Sequence, residues 1–161
     1  MAKPLTEQQI LVAKRRKARH YGVQGLYQWI MAGAPLNQIE AEFRTDYDFS
    51  KVDSDYFHAI MHDIPANTDV LDELIASKLI DREMDEVGPI ELALLRLGVF
   101  ELKERLDVPV NVVLNESVSL AKKFGPVESH KFINAVLDAL AAELRAIEKS
   151  AQGSSQNTVK K

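Results

Sequence analysis

The segment IELALLRLGVFELKE, residues 90–104, constrains the fold more than any other part of the chain. Apolar residues cover nearly every face of this segment at helical spacing, and Pro89 stands where a helix begins. A helix that is apolar on all sides must be surrounded by other elements, because each exposed face would be costly in water. The segment therefore predicts a buried central helix inside a larger bundle.

The rest of the chain is also patterned for helices, and no segment shows the clean alternation of a half-buried strand. The predicted helices run from Thr6 to Gly33, over about 36–44, from Asp53 with a kink or end at Pro65 and a continuing pattern to 79, over 110–124, and over about 128–149. A chain of 161 residues with short connections favours an all-α fold, a compact helical bundle of about seven helices. Residues 1–149 are expected to form one domain, or two small subdomains sharing a core. The tail at 150–161 is nearly free of apolar residues and is expected to be disordered.

Several classes of protein are excluded by what the sequence lacks. It contains no cysteine, which excludes disulfides, cysteine-based zinc sites and thiol nucleophiles. No apolar run is long enough to span a membrane, and the first residues do not resemble a secretory signal, so we expect a cytoplasmic protein. No phosphate-binding loop, dinucleotide fingerprint or nucleophile elbow occurs. We therefore expect neither catalysis nor a cofactor.

Cations are concentrated near the start of this acidic chain. Five of its twenty lysines and arginines form a basic cluster, which comprises Lys14, Arg15, Arg16, Lys17 and Arg19. Residues 1–33 carry six cations and one acid, a net charge of +5, whereas the whole chain is at −4. Cations near the N-terminus of a helix oppose its dipole, so helix stability does not account for them. A solvated helix end and a docking surface for a polyanion are both open, and we favour the docking surface.

A second candidate surface lies in KKFGPVESHKF, residues 122–132. Glu128, Lys131 and Phe132 share one stripe of the predicted last helix, and Phe132 lies at the shoulder of its buried face. Phe132 is either an ordinary core residue or a ring offered to an unstacked base, with Lys131 placed for a phosphate. Glu128 is either an acceptor for a base amino group or a partner of the helix dipole.

Two further features have a structural and a functional interpretation. His58 and His62 are one helical turn apart, a spacing that suits zinc. No third ligand is evident, so we interpret them as surface histidines and expect no metal site. Glu91, in the first turn of the central helix, either stabilises the helix dipole or pairs with a basic partner protein.

Three stretches together resemble the transcription antitermination factor NusB family: RRKARHYGVQGLYQW, IELALLRLGVFEL and DVPVNVVLNESVSLAKKFGPVESHKFINAVLD. Their order and spacing also match, and the resemblance covers about residues 14–140. It implies an all-helical fold of two small bundles packed against each other, at about residues 1–80 and 81–149. It also implies non-enzymatic binding to boxA, a single-stranded RNA element of ribosomal RNA transcripts. The implied partners are NusE, which is small-subunit ribosomal protein ten, and the antitermination complex on RNA polymerase.

The resemblance also assigns roles to individual positions. The RNA contacts that it implies are Arg15, Arg16, Lys17, Arg19, Glu128, Lys131 and Phe132. Tyr27 and Glu91 match positions at the RNA or NusE surface, and which of the two Tyr27 contacts stays open. For one RNA strand to meet all of these residues, the basic cluster and Phe132 must converge in space.

Three alternatives remain beside an RNA-binding factor. The chain could be a protein-interaction module, or a homodimer whose RNA face is covered. An accessory domain of RNA methyltransferases has a similar helical fold, but cytosine-5 methylation needs a cysteine nucleophile and this chain has none. A helix-turn-helix DNA-binding protein is disfavoured because no recognition helix rich in base-reading side chains is evident.

Overall fold

A computed structural model of the protein describes residues 3–148. Every regular element in that range is a helix, which confirms the predicted all-α fold. The α-helices are α1 (Glu7–Ala32), α2 (Leu36–Asp46), α3 (Ser54–Ala66), α4 (Thr68–Ala76), α5 (Pro89–Glu104), α6 (Val110–Phe124) and α7 (Ser129–Leu144). Short 3₁₀ helices lie at Phe49–Lys51 and Met84–Glu86. None of the helices described has the length and apolar character that crossing a membrane requires.

Helix α1 is capped at both ends by residues that the sequence marks. The Thr6 hydroxyl accepts a hydrogen bond from the Gln9 N–H (3.1 Å), and the Gln9 side chain accepts one from the Thr6 N–H (2.9 Å). This reciprocal pair satisfies N–H groups that the first helical turn leaves without partners. At the other end Gly33 adopts a left-handed backbone (φ 65°) and donates to the Trp29 carbonyl. Glycine takes that conformation without steric cost, so the helix ends where the sequence predicts.

The described chain divides into two compact units, and the first spans Met1–Asn67. In this unit α1 packs against α2 and α3, and α2 packs on α3. Helices α1 and α3 approach closely because Gly22 has no side chain. A Cβ atom at that position would lie 2.8 Å from Cγ2 of Ile60. The first unit thus holds the basic cluster on a helix fixed by two neighbours.

The second unit, Thr68–Lys161, is built around α5. Helix α5 packs against α4, α6 and α7, and α6 also packs on α7. Its buried apolar residues are Ala93, Leu94, Leu95, Leu97, Val99, Phe100 and Leu102. The prediction of a central buried helix at residues 90–104 is confirmed.

The last helix has a break that the sequence does not predict. Helix α7 is interrupted at Arg145 (φ −122°), and residues 146–148 are helical again, within the predicted span of about 128–149. The chain divides into its two units between residues 67 and 68, and α4 packs on α5 and α7. The subdomains implied at about 1–80 and 81–149 stay a prediction. The tail at 150–161, predicted to be disordered, lies outside the described residues.

Candidate nucleic-acid interface

The basic cluster lies in the first half of α1, and its members differ in exposure. Arg16 and Lys17 are exposed, Lys14 and Arg15 are half-buried, and Arg19 is buried at 3% exposure. Residues four apart share one face of a helix, so Arg15 and Arg19 turn toward the same neighbour while Arg16 and Lys17 point to water. We call Arg15, Arg16 and Lys17 the α1 surface.

Arg15 and Arg19 both face Tyr56 of α3. The guanidinium carbon of Arg15 lies 4.4 Å from the centroid of the Tyr56 ring, and that of Arg19 lies 5.5 Å from it. Nε of Arg15 also lies 3.6 Å from Oδ2 of Asp53, the N-cap residue of α3. Both guanidinium groups are within range of cation–π attraction to one buried ring. Arg19 was expected at the surface, and its burial follows from its place on the face of α1 that packs on α3.

Glu128, Lys131 and Phe132 come together at the start of α7. Nζ of Lys131 lies 2.5 Å from Oε2 of Glu128, and both side chains are largely exposed. Glu128 has a left-handed backbone (φ 70°), which turns the chain sharply into the helix. Phe132 is half-buried, in agreement with its predicted place at the shoulder of the buried face.

Arg82 lies over the ring of Phe132, a contact that the sequence did not reveal. Its guanidinium carbon is 4.1 Å from the ring centroid. Its Nη2 donates to Oε1 of Glu91 (3.1 Å) and to the carbonyl of Glu86 (3.1 Å). A guanidinium has a flat face for a ring and N–H groups at its edge for oxygen acceptors, so it makes all three contacts at once. The signal in the sequence is a single cation within the acidic stretch DREMDE, and we call Arg82, Glu128, Lys131 and Phe132 the α7 surface.

The two residues predicted to bind a partner are in different environments. Tyr27 is 39% exposed on α1. Glu91 is 7% exposed, and its Oε1 accepts from the Gly88 N–H (3.4 Å) as well as from Arg82. Glu91 was interpreted either as a helix-stabilising residue or as a contact for a basic partner. The structure supports the first, because the Glu91 carboxylate caps α5 and pairs with Arg82 of the same chain.

The histidine pair of α3 has a third neighbour in Glu40 of α2. Oε1 of Glu40 lies 2.9 Å from Nδ1 of His58 and 2.7 Å from Nε2 of His62. The expectation that no third ligand accompanies the histidines is therefore wrong. Glu40 is 18 residues from His58 in the chain, and it reaches the pair because α2 packs on α3.

The charge of Glu40 is stabilised in place. Arg44 donates to its Oε2 from Nε (2.9 Å) and from Nη2 (2.6 Å). Burial raises the pKa of Glu40, but the hydrogen bonds from Arg44, His62 and His58 outweigh burial and hold this pKa below its ordinary value of 4.5. Glu40 is therefore a carboxylate at neutral pH. Arg44 holds Oε2, which also lies 3.2 Å from Nδ1 of His58, and Oε1 is the oxygen nearer to both imidazoles.

These groups are distributed over both units. The α1 surface and the histidine pair belong to the first unit, and the α7 surface belongs to the second. Within each unit the contacts place cations beside an aromatic ring, which is the combination that single-stranded nucleic acid requires. Convergence of the α1 surface and Phe132 on one RNA strand stays a prediction.

Comparison with known proteins gives a consistent result. The NusB family model matches residues 16–142. The transcription antitermination protein NusB of Teredinibacter turnerae is 52% identical over 139 residues, covering 86% of this chain and 95% of the relative. That of Hahella chejuensis is 49% identical over 138 residues, covering 86% and 92%. The solved structure of T. maritima NusB matches with a TM-score of 0.70 at 29% identity, covering 89% of this chain and 94% of that one.

Proposed function

This chain belongs to the NusB family, and from that premise we propose that it is a non-enzymatic antitermination factor that binds boxA-type RNA of ribosomal RNA transcripts. Its relatives from T. turnerae and H. chejuensis are named transcription antitermination proteins. The proposed partner is NusE, small-subunit ribosomal protein ten. The proposed setting is the antitermination complex on RNA polymerase in the cytoplasm. The observation that carries the RNA proposal is the placing of exposed cations at the α1 surface and of a half-buried ring at the α7 surface.

The α1 surface is suited to the RNA backbone. Arg16 and Lys17 extend into water beside Arg15, which Asp53 and Tyr56 hold in position. A guanidinium can donate two parallel hydrogen bonds to a phosphate, and an ammonium acts as a compact point charge. We assign phosphate contacts to Arg15, Arg16 and Lys17. Arg19 is a positioning residue that packs on Tyr56.

The α7 surface is suited to an unstacked base. The ring of Phe132 is fixed from one side by Arg82, so little side-chain freedom is lost when a base stacks on its exposed part. Lys131 is exposed and one residue away, in reach of the adjoining phosphate. Its contact with Glu128 is an exposed ion pair, which costs little to exchange for a phosphate. Glu128 is then free to accept from a base amino group.

The remaining two predicted residues act differently. Glu91 is buried, so we assign it an indirect role in which it holds Arg82 over Phe132. Tyr27 is exposed, and we propose that it contacts either NusE or the RNA. Measuring the affinity of Tyr27→Ala for RNA alone and for NusE alone distinguishes these two contacts, because a residue that touches one of them changes that affinity only.

Salt dependence of RNA binding tests the proposal. Each phosphate contact on a single strand adds about 0.7 to the slope of log affinity against log salt. The Arg16→Ala/Lys17→Ala variant should therefore show a slope smaller by about 1.4. The matched control is Lys78→Ala/Lys103→Ala, which removes two cations that pair with Glu143 and Glu104. Equal slopes for the two double variants would rule out the α1 surface as a phosphate site.

A second candidate function, a protein-interaction module or homodimer, is favoured by one observation. Exposed apolar side chains follow one another at the start of α1, where Ile10, Leu11 and Val12 are all exposed. Successive helical residues point 100° apart, so these three would be covered together only by a partner that surrounds the start of α1. Gel filtration with and without RNA separates the two functions. A dimer that RNA does not dissociate, and that binds no RNA, would favour the interaction module.

A further inference from the structure

We propose that Glu40, His58 and His62 form a binding site for a divalent transition metal ion, with Zn²⁺ as the ion that fits best. Their ligand atoms all lie within 4.8 Å of one another. Two imidazole nitrogens and one carboxylate oxygen are the donors of a three-ligand zinc site, in which a water molecule completes the tetrahedron. Neither the family match nor the RNA proposal assigns a role to this cluster.

Both imidazoles face the same carboxylate oxygen. His58 and His62 are one turn apart on α3, and their ring centroids lie 4.2 Å apart with the planes inclined by 32°. Nδ1 of His58 and Nε2 of His62 each lie within 3 Å of Oε1 of Glu40. Ligands around tetrahedral zinc are about 3.3 Å apart, given metal–ligand distances near 2.0–2.1 Å. The two distances to Oε1 of Glu40 would each lengthen by about half an ångström to admit the ion.

A metal ion can replace the N–H protons that the two histidines direct at Glu40. An imidazole nitrogen beside a carboxylate donates its N–H, because carboxylate oxygens only accept. When the proton moves to the other ring nitrogen, the nitrogen near Glu40 offers a lone pair to the ion. The His58 side chain is 60% exposed, so its far nitrogen meets water and the ion has a path from solvent.

The environment of Glu40 has one feature in favour of a metal and one against it. Arg44 holds Oε2 and so directs Oε1 at the histidines, the kind of outer contact that orients a metal ligand. Its positive charge opposes a cation. Because the Arg44 side chain is itself partly exposed, solvent screens that repulsion, while the bonds to zinc are short and direct.

Zinc titration of the full-length, tag-free protein tests the site. After chelator treatment, calorimetry should give one Zn²⁺ per chain, and Co²⁺ should develop the visible absorption of a tetrahedral complex. Mg²⁺, which prefers oxygen ligands in octahedral geometry, should give no binding. At zinc concentrations about 100-fold above the dissociation constant, the melting temperature should rise by roughly 5–10 °C and return on chelation.

Five variants test the site: three change a proposed ligand and two are controls. His62→Ala and Glu40→Gln should weaken zinc binding by more than the roughly 10–100-fold that loss of an outer contact costs. His58→Ala should weaken zinc binding in the same way, and because this side chain is exposed its removal should leave the fold intact. His130→Ala, in the other unit, and Glu42→Gln, exposed on the same helix as Glu40, should bind as the wild type does. Absence of saturable zinc binding, or equal affinities for His58→Ala and His130→Ala, would overturn the proposal.

Discussion

At the scale of single residues, the buried side chain of Arg145 caps the C-terminal end of α5. It is 4% exposed, and its guanidinium donates to the carbonyls of Leu102 (2.7 Å), Glu101 (3.0 Å) and Arg105 (2.9 Å). Nη1 also lies 2.8 Å from Oε1 of Glu148. The last carbonyls of a helix have no donors within the helix and carry the negative end of its dipole. The Arg145 guanidinium supplies both the N–H donors and the positive charge at this end of α5.

Removal of Arg145 should therefore be costly. Arg145→Ala leaves buried carbonyls without donors, and we expect a loss of about 3 kcal/mol in the free energy of unfolding. Arg145→Lys should recover part of this loss, because an ammonium keeps the charge but not the planar set of donors. Denaturant titration measures both, with Lys103→Ala in the last turn of α5 as the control. If Arg145→Ala proves as stable as this control, the capping role is wrong.

Phe132 offers a second test at the same scale. Phe132→Leu keeps an apolar side chain but removes the aromatic face, so RNA affinity should fall by about 1–3 kcal/mol while the salt slope is unchanged. The matched control is Phe49→Leu, since Phe49 is also half-buried beneath an arginine, Arg44, at 5.3 Å. Fluorescence anisotropy with a short single-stranded RNA measures both variants. A loss that Phe49→Leu reproduces would indicate a general effect of packing.

At the scale of helices, the contact of α1 with α3 depends on Gly22. Gly22→Ala would gain up to about 1 kcal/mol in helix propensity. The new Cβ atom would lie 2.8 Å from Cγ2 of Ile60, a buried β-branched side chain with little freedom to move. Overpacking of this kind costs about 1–3 kcal/mol, so we expect a net loss of about 1 kcal/mol.

Thermal or denaturant unfolding of Gly22→Ala checks that balance. The control is Met31→Ala, an exposed position on the same helix, which should change stability by less than about 0.5 kcal/mol. An increase in stability for Gly22→Ala would mean that α3 yields to the added methyl group, and that the glycine is not required for close approach.

Local signals account for the helices that the sequence predicted well. The Thr6 and Gln9 capping pair and Gly33 mark the two ends of α1, and the apolar faces of residues 90–104 mark the buried helix α5. The break after Leu144 was not predicted because it accompanies the contact of Arg145 with a different helix, at Leu102, 43 residues away in the chain. Such a contact leaves no trace in periodicity or capping residues.

At the scale of the whole molecule, burial distinguishes the exposed cations, which are available to bind RNA, from the buried ones, which stabilise the fold. The sequence identified the basic cluster as a group, since five cations within six positions stand out in an acidic chain. It could not show that Arg19 turns inward onto Tyr56, because that depends on where α3 packs. Arg82 and Glu40 were missed for the same reason, since each gains its partners through the packing of separate helices.

The proposed RNA site uses both units, and this leads to a prediction about stoichiometry. If one strand contacts the α1 surface and Phe132, a single boxA RNA should bind per chain. The affinity losses of Arg16→Ala/Lys17→Ala and Phe132→Leu should then add in free energy when the changes are combined, as expected for residues that share no partner. Titration at RNA concentrations above the dissociation constant gives the stoichiometry. Two short RNAs per chain would mean that the surfaces bind separately.

The most direct test of the central claim is the affinity of the protein for boxA RNA and for a scrambled RNA of the same length and composition, measured with and without NusE. We predict that boxA RNA binds at least about 10-fold more tightly than the scrambled RNA, a difference of about 1.4 kcal/mol, and that NusE increases this preference. Changes at both the α1 surface and Phe132 should reduce the affinity for both RNAs, because phosphate contacts and stacking do not depend on base sequence. Equal affinity for the two RNAs in the presence of NusE, or an affinity for boxA RNA that is unchanged by loss of both surfaces, would contradict the proposed function.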